Sequence, residues 1–311
     1  MWQIHPEDVA ILSTKLPVDG ITEEEAPQPW LLHSFAVHAL NFCAFAMCDA
    51  PPEPKPTGSV AGSARLIAAP NGLDSGGVDI FHLPSEQRVS QLRSDQEVQT
   101  GMVMALALFH RHDSLVLASG YEDGHIMVHC FAGDTHQWLK TASSQPHTQP
   151  VLSLDLSPSN DYFISSSADA ILAKFSLSAA AEPQTGSSSN TELEKSTNTK
   201  HAGQQGLKIR SDGRIFATAG WDQRVRVYST KTLKELAVLK WHTDGCYAIA
   251  FATIHVDDEV KQSTPPGQSR EIGLRGTALD VIKHGRTMKA QQTHWLAAGA
   301  KDGKISLWDI Y

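Results

Sequence analysis

The last sixteen residues of the chain, LAAGAKDGKISLWDIY, contain two short runs of small or alternating apolar residues separated by an Asp-Gly pair. Asp-Gly between two such runs is a strong signal for a β-hairpin. In this segment Asp302 precedes Trp308 by six residues. The pattern predicts a strand, an Asp turn and a second strand that ends near a large aromatic residue.

The same spacing of six residues recurs three times earlier in the chain. It joins Asp222 to Tyr228, Asp169 to Phe175, and Asp123 to His129, and a run of small residues precedes each Asp. A less regular copy places Ser75 at the Asp position and Phe81 at the aromatic position. Further short strand patterns precede several copies, so each unit is predicted to contain strand, turn, strand, Asp turn, strand and a fourth segment.

Successive aromatic positions are 48, 46, 53 and 80 residues apart. A period in the forties with four short strands per unit is typical of a β-propeller blade. We therefore predict an all-β propeller of about five full four-stranded blades, which forms a single domain over residues 1–311.

Three stretches lengthen these units and are predicted to be surface insertions or loops. Residues 49–64 are rich in Pro, residues 178–203 are rich in Ser, Thr and Asn, and residues 255–293 account for the longest step. Such compositions contain too few large apolar side chains to form a core.

The start of the chain resembles the end of a unit. Trp2, Gln3 and Ile4 follow the pattern of residues 308–310, and no strand or Asp turn precedes them. We therefore expect five units and the end of a sixth. Either the chain is part of a larger propeller, or residues 7–18 form an outer strand that completes the last blade, because propellers often close by combining strands from both termini.

Composition narrows the functional classes. The 311 residues contain 26 Lys plus Arg and 34 Asp plus Glu, which gives a net charge of -8. This balance argues against tight, sequence-independent binding of nucleic acid. No apolar run approaches the ~18 residues needed to span a membrane. The four cysteines form no Cys-x-x-Cys pair, which favours reduced thiols in the cytosol or nucleus.

A family resemblance adds to this interpretation. The Asp-to-aromatic spacing with the terminal Trp-Asp resembles the WD repeat. The segments WLLHSFAVHALNFCAF and KDGKISLWDIY resemble the fungal ASTRA-associated protein 1 family, which is similar to guanine nucleotide-binding protein β-subunit-like proteins. The resemblance extends over the whole chain in order. It implies about seven blades, so we expect an N-terminally truncated seven-bladed propeller.

The resemblance also implies a function. It suggests a non-catalytic scaffold subunit of the ASTRA assembly, which is linked to chromatin remodelling and contains a large kinase-like scaffold protein, Tel and Tti co-chaperone proteins and AAA+ helicases. The expected location is the nucleus, with the cytoplasm as an alternative. A WD-repeat adaptor of another complex, such as a ubiquitin ligase substrate receptor or a signalling β-subunit-like protein, is the second hypothesis.

In WD repeats, a loop His, a Ser or Thr on the following strand, the turn Asp and the strand Trp form a hydrogen-bonded network inside a blade. In the last unit His242, Asp302 and Trp308 match this pattern, but Ala298 and Ala300 leave the hydroxyl position empty. We therefore expect an incomplete network there.

Two further histidines match the same pattern in earlier units. His147 is the expected equivalent in the third unit and His201 in the fourth. The resemblance implies a structural role for these residues and not a catalytic one.

Two aromatic residues near the Asp turns stand where a small residue is usual. Trp221 and Tyr121 are predicted to be displayed on a face of the disc, with Arg224 and Arg226 beside Trp221. Aromatic residues flanked by charge are enriched in protein interfaces, so these four are candidates for partner binding. The alternative is that the two aromatics pack against a neighbouring insertion.

Other candidate chemistry is weaker. No phosphate-binding glycine loop or Gly-x-Ser-x-Gly motif is present, so we predict no cofactor and no enzymatic activity. The cluster His110, His112 and Asp113 raises the possibility of a metal site, but a strand end followed by a solvated turn explains it more simply. The basic segment at residues 284–292 is better explained as a solvated loop than as a contact for an acidic partner or nucleic acid.

Overall fold

The computed structural model describes residues 2–3, 30–37, 41–51, 64–111, 114–177, 191–254, 285–286, 289–290 and 292–310. These residues form 21 β-strands. In the described ranges, no helix is both long and apolar enough to cross a membrane.

Four sheets have four antiparallel strands each, joined in chain order, and we call them blades 1 to 4. Blade 1 comprises β3 (Ala46–Asp49), β4 (Arg65–Pro70), β5 (Val78–Leu83) and β6 (Gln87–Leu92). Blade 2 comprises β7 (Val103–Arg111), β8 (Ser114–Tyr121), β9 (Ile126–Ala132) and β10 (Gln137–Ser144). Blade 3 comprises β11 (Val151–Leu156), β12 (Tyr162–Ser167), β13 (Ile171–Leu177) and β14 (Thr191–Asn198). Blade 4 comprises β15 (Gln204–Ile209), β16 (Ile215–Gly220), β17 (Arg224–Ser229) and β18 (Glu235–Lys240).

The last sheet and the first strand pair are smaller. Blade 5 has three strands in the described part of the chain, β19 (Cys246–Phe251), β20 (Trp295–Ala300) and β21 (Ile305–Asp309). The two-residue strands β1 (Trp2–Gln3) and β2 (Trp30–Leu31) pair with each other. The predicted all-β architecture of about five blades and a partial one is confirmed. Ile4 and residues 7–18 lie outside the described residues.

The blades follow one another around a common centre. The first strand of each blade contacts the first strand of the next, in the order β3, β7, β11, β15 and β19. Apolar clusters fill the space between neighbouring blades, so blades 2, 3 and 4 bury side chains on both faces. Complete burial of such a side chain contributes about 1.5–3 kcal/mol, and stacking therefore supplies most of the stabilisation.

The six-residue spacing selects equivalent positions in all five blades. In each blade we number the residues of the third strand that pair with residues of the second strand, starting from the Asp turn. The aromatic position is always the fourth of these residues. These pairs are Phe81 with Ile67, His129 with Leu117, Phe175 with Phe163, Tyr228 with Phe216 and Trp308 with Leu296. In blades 3 and 4 the paired rings stack, with centroids 4.8 and 5.1 Å apart.

The prediction that residues 178–203 form a loop is wrong in part. The strand β14 (Thr191–Asn198) lies within this segment and pairs with β13. Most of its side chains are exposed because it is the outer strand of blade 3, and its sequence, TELEKSTN, therefore resembles that of a loop. Residues 178–190 lie outside the described residues.

The other two insertions are described only at their ends. Ala50 N donates a hydrogen bond to Ala64 O, 2.9 Å away, which closes the base of the insertion in blade 1. Residues 52–63 and 255–284 lie outside the described residues. The insertions therefore branch from hairpins without interrupting the order of the strands.

Candidate functional site

The turns between the second and third strands of each blade, together with the loops that join neighbouring blades, form one end of the disc. We call this end the Asp-turn face. Its turns are residues 71–77, 122–125, 168–170, 221–223 and 301–304, and its loops are residues 93–102, 145–150, 199–203 and 241–245. Most of the residues predicted to have a role lie here.

The turn Asp of blade 3 connects its own turn to the preceding loop. Asp169 accepts hydrogen bonds from Ile171 N at 2.8 Å and from Thr148 N at 2.9 Å. Burial alone would raise the pKa of this carboxyl, but the hydrogen bonds from His147 and the two backbone amides outweigh burial and lower it. Asp169 is therefore held as a carboxylate that fixes the loop against the turn.

His147 completes the network of blade 3. Its ring is buried, with Nε2 2.9 Å from Ser165 Oγ and Nδ1 3.3 Å from Asp169 Oδ1. Ser165 lies on the second strand, at the expected hydroxyl position. The predicted equivalence of His147 therefore agrees with the geometry.

Blade 5 has a complete network, which corrects the expectation that its hydroxyl position is empty. Ser306 supplies the hydroxyl. Its Oγ lies 2.9 Å from His242 Nε2 and accepts a hydrogen bond from Trp308 Nε1 at 2.9 Å. His242 Nδ1 lies 3.2 Å from Asp302 Oδ2. Because the indole N–H can only donate, the hydroxyl hydrogen of Ser306 can be donated to His242 Nε2. The N–H at His242 Nδ1 is then donated to Asp302.

The register explains why the hydroxyl of blade 5 was missed. Ser306 on the third strand pairs with Ala298 on the second, whereas in blade 3 Ser165 on the second strand pairs with Ala173 on the third. At this register position, blade 3 has serine on the second strand and alanine on the third, and blade 5 has the reverse. The histidine can reach either strand because the two side chains lie side by side.

In blade 4 an arginine takes the place of the histidine. Arg226 Nη1 and Nη2 donate to the two oxygens of Asp222 at 3.0 and 2.6 Å, and Arg226 Nε lies 3.4 Å from Glu235. Burial opposes ionisation of Asp222, but the contacts with Arg226 lower its pKa overall. His201 Nδ1 is 4.0 Å from Asp222, beyond hydrogen-bond distance. The predicted equivalence of His201 is therefore wrong.

Two of the four candidates for partner binding are buried. Arg226 is 3% exposed because it is enclosed by its two carboxylate partners. Tyr121 is 2% exposed and accepts a hydrogen bond from Ser119 Oγ at 3.0 Å. Ser119 holds the position in blade 2 that Ser165 holds in blade 3, and its partner is Tyr121 where that of Ser165 is His147. The predicted display of Tyr121 is therefore wrong, and the burial of Arg226 argues against its candidacy for partner binding.

The turn of blade 1 is held by Asp74 and not by Ser75. Asp74 Oδ1 accepts from Gly76 N at 3.2 Å, and Oδ2 accepts from Ser94 N at 2.8 Å. The bond from Gly76 N matches that from Ile171 N to Asp169, whereas Ser94 lies on the loop that follows blade 1 and Thr148 on the loop that precedes blade 3. The six-residue spacing points to Ser75, but in blade 1 the turn Asp74 precedes Phe81 by seven residues.

Trp221 is displayed as predicted. It is 44% exposed, and its Nε1 donates to Gln205 Oε1 at 3.0 Å. The ring covers Gly203, where a Cβ would lie only 2.2 Å from a ring carbon. Glycine at this position lets the indole lie flat on the backbone. Arg224, the remaining candidate, is half-buried at the start of β17.

A concave apolar surface beside Trp221 had no signal in the sequence analysis. It encloses about 400 Å³. Its lining consists of Phe42, Met102, Met104, Glu122, Pro150, Leu152, Ala168, Gln205 and Trp221. Residues distant in sequence meet here because blades 2, 3 and 4 each contribute an inner strand and a turn.

The remaining candidates give no site. His110 Nε2 lies 2.8 Å from Asp49 O, while His112 and Asp113 lie outside the described residues. Within the described part of the chain, no group of three His, Cys, Asp or Glu side chains is arranged to hold a metal ion. The segment 284–292 is described only at residues 285–286, 289–290 and 292.

Comparisons with known proteins agree with this architecture. The family described as WD domain, G-beta repeat matches residues 139–173, 194–229 and 290–309. Proteins named ASTRA-associated protein 1 from Penicillium rubens and Aspergillus niger are each 49% identical to this chain, over all of it and 79% of their own length. Guanine nucleotide-binding protein subunit beta-like protein 1 of Mus musculus is 30% identical over 79% of this chain and 60% of its own length.

Proposed function

Because the chain belongs to the ASTRA-associated protein 1 family, we propose that it is a non-catalytic WD-repeat scaffold subunit of the ASTRA complex. The observation that carries this proposal is the similarity to proteins of that name over the entire chain. Partner proteins would bind to faces and edges of a rigid stack of blades, which is a common use of this architecture.

The polar networks support a non-catalytic role. The acidic and imidazole groups of the Asp turns bond to one another and to backbone amides, as in His242, Asp302 and Ser306. Such pairing holds loops in place and leaves few free groups for chemistry on a substrate. The exposed aromatic residues on the same face are the type of side chain that stabilises protein interfaces.

We further propose the partners and the location. The partners are the kinase-like scaffold protein, the Tel and Tti co-chaperone proteins and the AAA+ helicases of the complex. The complex acts in chromatin remodelling and in the assembly of kinase-like proteins. The proposed location is the nucleus. A net charge of -8 favours contact with proteins over contact with DNA.

The test is affinity purification of the tagged chain from fungal nuclear and cytoplasmic extracts, followed by mass spectrometry. We expect the kinase-like scaffold and the Tel and Tti proteins in the nuclear fraction, at levels well above those with the tag alone. Recovery of cullin or G-protein subunits in their place would contradict the proposal and favour the adaptor hypothesis. The similarity to the mouse β-subunit-like protein makes the G-protein outcome a specific alternative.

A further inference from the structure

The concave surface on the Asp-turn face is formed by irregularities in the inner strands. The pairing of β7, β11 and β15 with their neighbours shifts by one residue at Met104, Leu152 and Gln205. A β-bulge redirects the side chain of the extra residue, and bulges are common beside binding sites. All three bulge residues line the same cavity.

The cavity suits a large apolar side chain. Met102, Met104, Leu152 and Pro150 supply apolar walls, and its volume of about 400 Å³ lies within the range of ligand-binding clefts. Methionine side chains adapt to ligands of different shape. Trp221 forms a rigid wall because it is fixed between Gly203 and Gln205.

Exposed aromatic and basic groups continue from Trp221 towards blade 5. A Cβ on Gly245 would lie 3.1 Å from Trp221 O and 3.4 Å from the Tyr247 ring, so the backbone of Trp221 and the ring of Tyr247 flank the same glycine. Lys301 N donates to Gly245 O at 2.9 Å. Tyr247 is exposed, and it occupies the bulge position of β19.

Positive charge gathers at this end of the surface. Lys301 and Lys304 are exposed, and Lys304 Nζ lies 5.7 Å from the centre of the exposed Trp241 ring. Among the described residues, no carboxylate forms an ion pair with either lysine or with Arg224, although Asp244 on the adjacent loop and Asp302 between the two lysines offset two of these three charges. At the other end of the cavity the charge is negative, where Glu122 accepts a hydrogen bond from Met102 N at 3.2 Å.

From this arrangement we infer that the surface binds an extended segment of a partner protein, with a large apolar side chain in the cavity and acidic residues over Lys301 and Lys304. The inference rests on the proposed function, since it assumes that the chain works by holding other proteins. The opposite charges at the two ends give the segment one direction, from the cavity towards blade 5. Tyr247 and Trp241 lie along this path.

A random peptide library displayed on phage, selected on the immobilised full chain, tests the inference. We expect enrichment of peptides that contain a large apolar residue followed by at least two acidic residues. Selected peptides, labelled with fluorescein, are then titrated with the protein and followed by anisotropy. Enrichment of basic or purely apolar peptides, or no enrichment above the bare support, would overturn the inference.

Variants locate the binding. Trp221→Ala and the double variant Lys301→Glu, Lys304→Glu should each raise the peptide Kd by at least about tenfold, and the double variant should also remove its dependence on salt. The matched control is Lys231→Glu, Lys234→Glu, which makes the same charge change on exposed residues of the turn at the opposite end of blade 4. It should leave binding unchanged.

The lysine variants keep the test valid if Trp221→Ala unfolds the protein, because both lysines are exposed. Thermal unfolding followed by circular dichroism checks each variant. Unchanged peptide binding in the folded lysine variant contradicts the inference. Stronger binding of single-stranded DNA than of peptide, weakened by the same variants, would also contradict it and indicate a nucleic-acid site.

Failure of the inference can be separated from failure of the proposed function. If the wild-type chain and the lysine variant recover the ASTRA proteins equally, the proposed function stands and this surface is not the site. If peptides bind as expected but no ASTRA protein is recovered by the wild-type chain, the surface stands and the proposed function is wrong.

Discussion

Blades 4 and 5 have the same strand pattern but very different burial. Val225 and Val227 in blade 4 are 1% and 3% exposed, whereas Ile305 and Leu307 at the same register positions of blade 5 are 73% and 65% exposed. In blade 4 these side chains pack against blade 5. In the part of the chain that the structure describes, nothing covers the corresponding face of blade 5. Alternation of apolar residues therefore specifies a strand, while the neighbouring blade decides whether its side chains contribute to the core.

The test with the largest expected effect on stability uses two isoleucines in equivalent positions. Ile126 of blade 2 is 2% exposed and Ile305 of blade 5 occupies the same register position. We expect Ile126→Ala to lower the free energy of unfolding by about 2–5 kcal/mol, because it leaves a cavity. Ile305→Ala should change it by at most about 0.5 kcal/mol. Urea titration measures both, and equal losses would show that the exposed face of blade 5 is covered in solution.

The second test asks whether the polar network makes blade 5 as ordered as blade 3. We expect Ser306→Ala to lower the free energy of unfolding by about 1–3 kcal/mol, because His242 and Trp308 both lose a partner. Adding Ala298→Ser places the hydroxyl on the opposite strand, as in blade 3, and should restore about half of the loss. Ser165→Ala with Ala173→Ser is the matched exchange in blade 3. If Ala298→Ser does not reduce the loss, the network of blade 5 requires the hydroxyl on the third strand.

The third test concerns the one histidine at an aromatic position. Burial, and to a smaller extent the charge of Lys140, lower the pKa of His129 to about 4 from its ordinary value of 6.5. The unfolded chain therefore binds a proton at this residue between pH 6.5 and about 4, and the folded state does not. Stability is lost as the pH falls through this window, by up to about 1.4 kcal/mol per pH unit.

His129→Phe should remove this loss, because blade 3 holds Phe175 at the same position. We expect the stability difference between His129→Phe and the wild type to grow as the pH is lowered from 7 to 5, as measured by urea unfolding. Both proteins contain the other histidines, so their contribution to the pH dependence of stability cancels in this difference. A difference that does not change with pH would contradict a neutral, buried His129.

The errors of sequence interpretation share a cause. The outer strand β14 was missed because both of its faces meet solvent, so it has no alternating pattern. Ser306 was overlooked because the hydroxyl was sought on one strand, while the register places two strands within reach of His242. Tyr121 and Arg226 were expected at the surface, but the networks of their blades enclose them. In each case the neighbouring strands, and not the local sequence pattern, decide which side chains are exposed, buried or paired.

The sequence by itself determined the repeating unit, the Asp turns of blades 2 to 5 and the aromatic positions, because hairpin turns and alternation are local properties of the backbone. The similarity of the chain to its family also follows from sequence alone. Only the tertiary structure decided which strand faces are buried, which groups complete each polar network and how three bulges line one cavity. These features depend on contacts between blades, where residues about fifty or more positions apart come within a few ångströms, and no local pattern records such contacts.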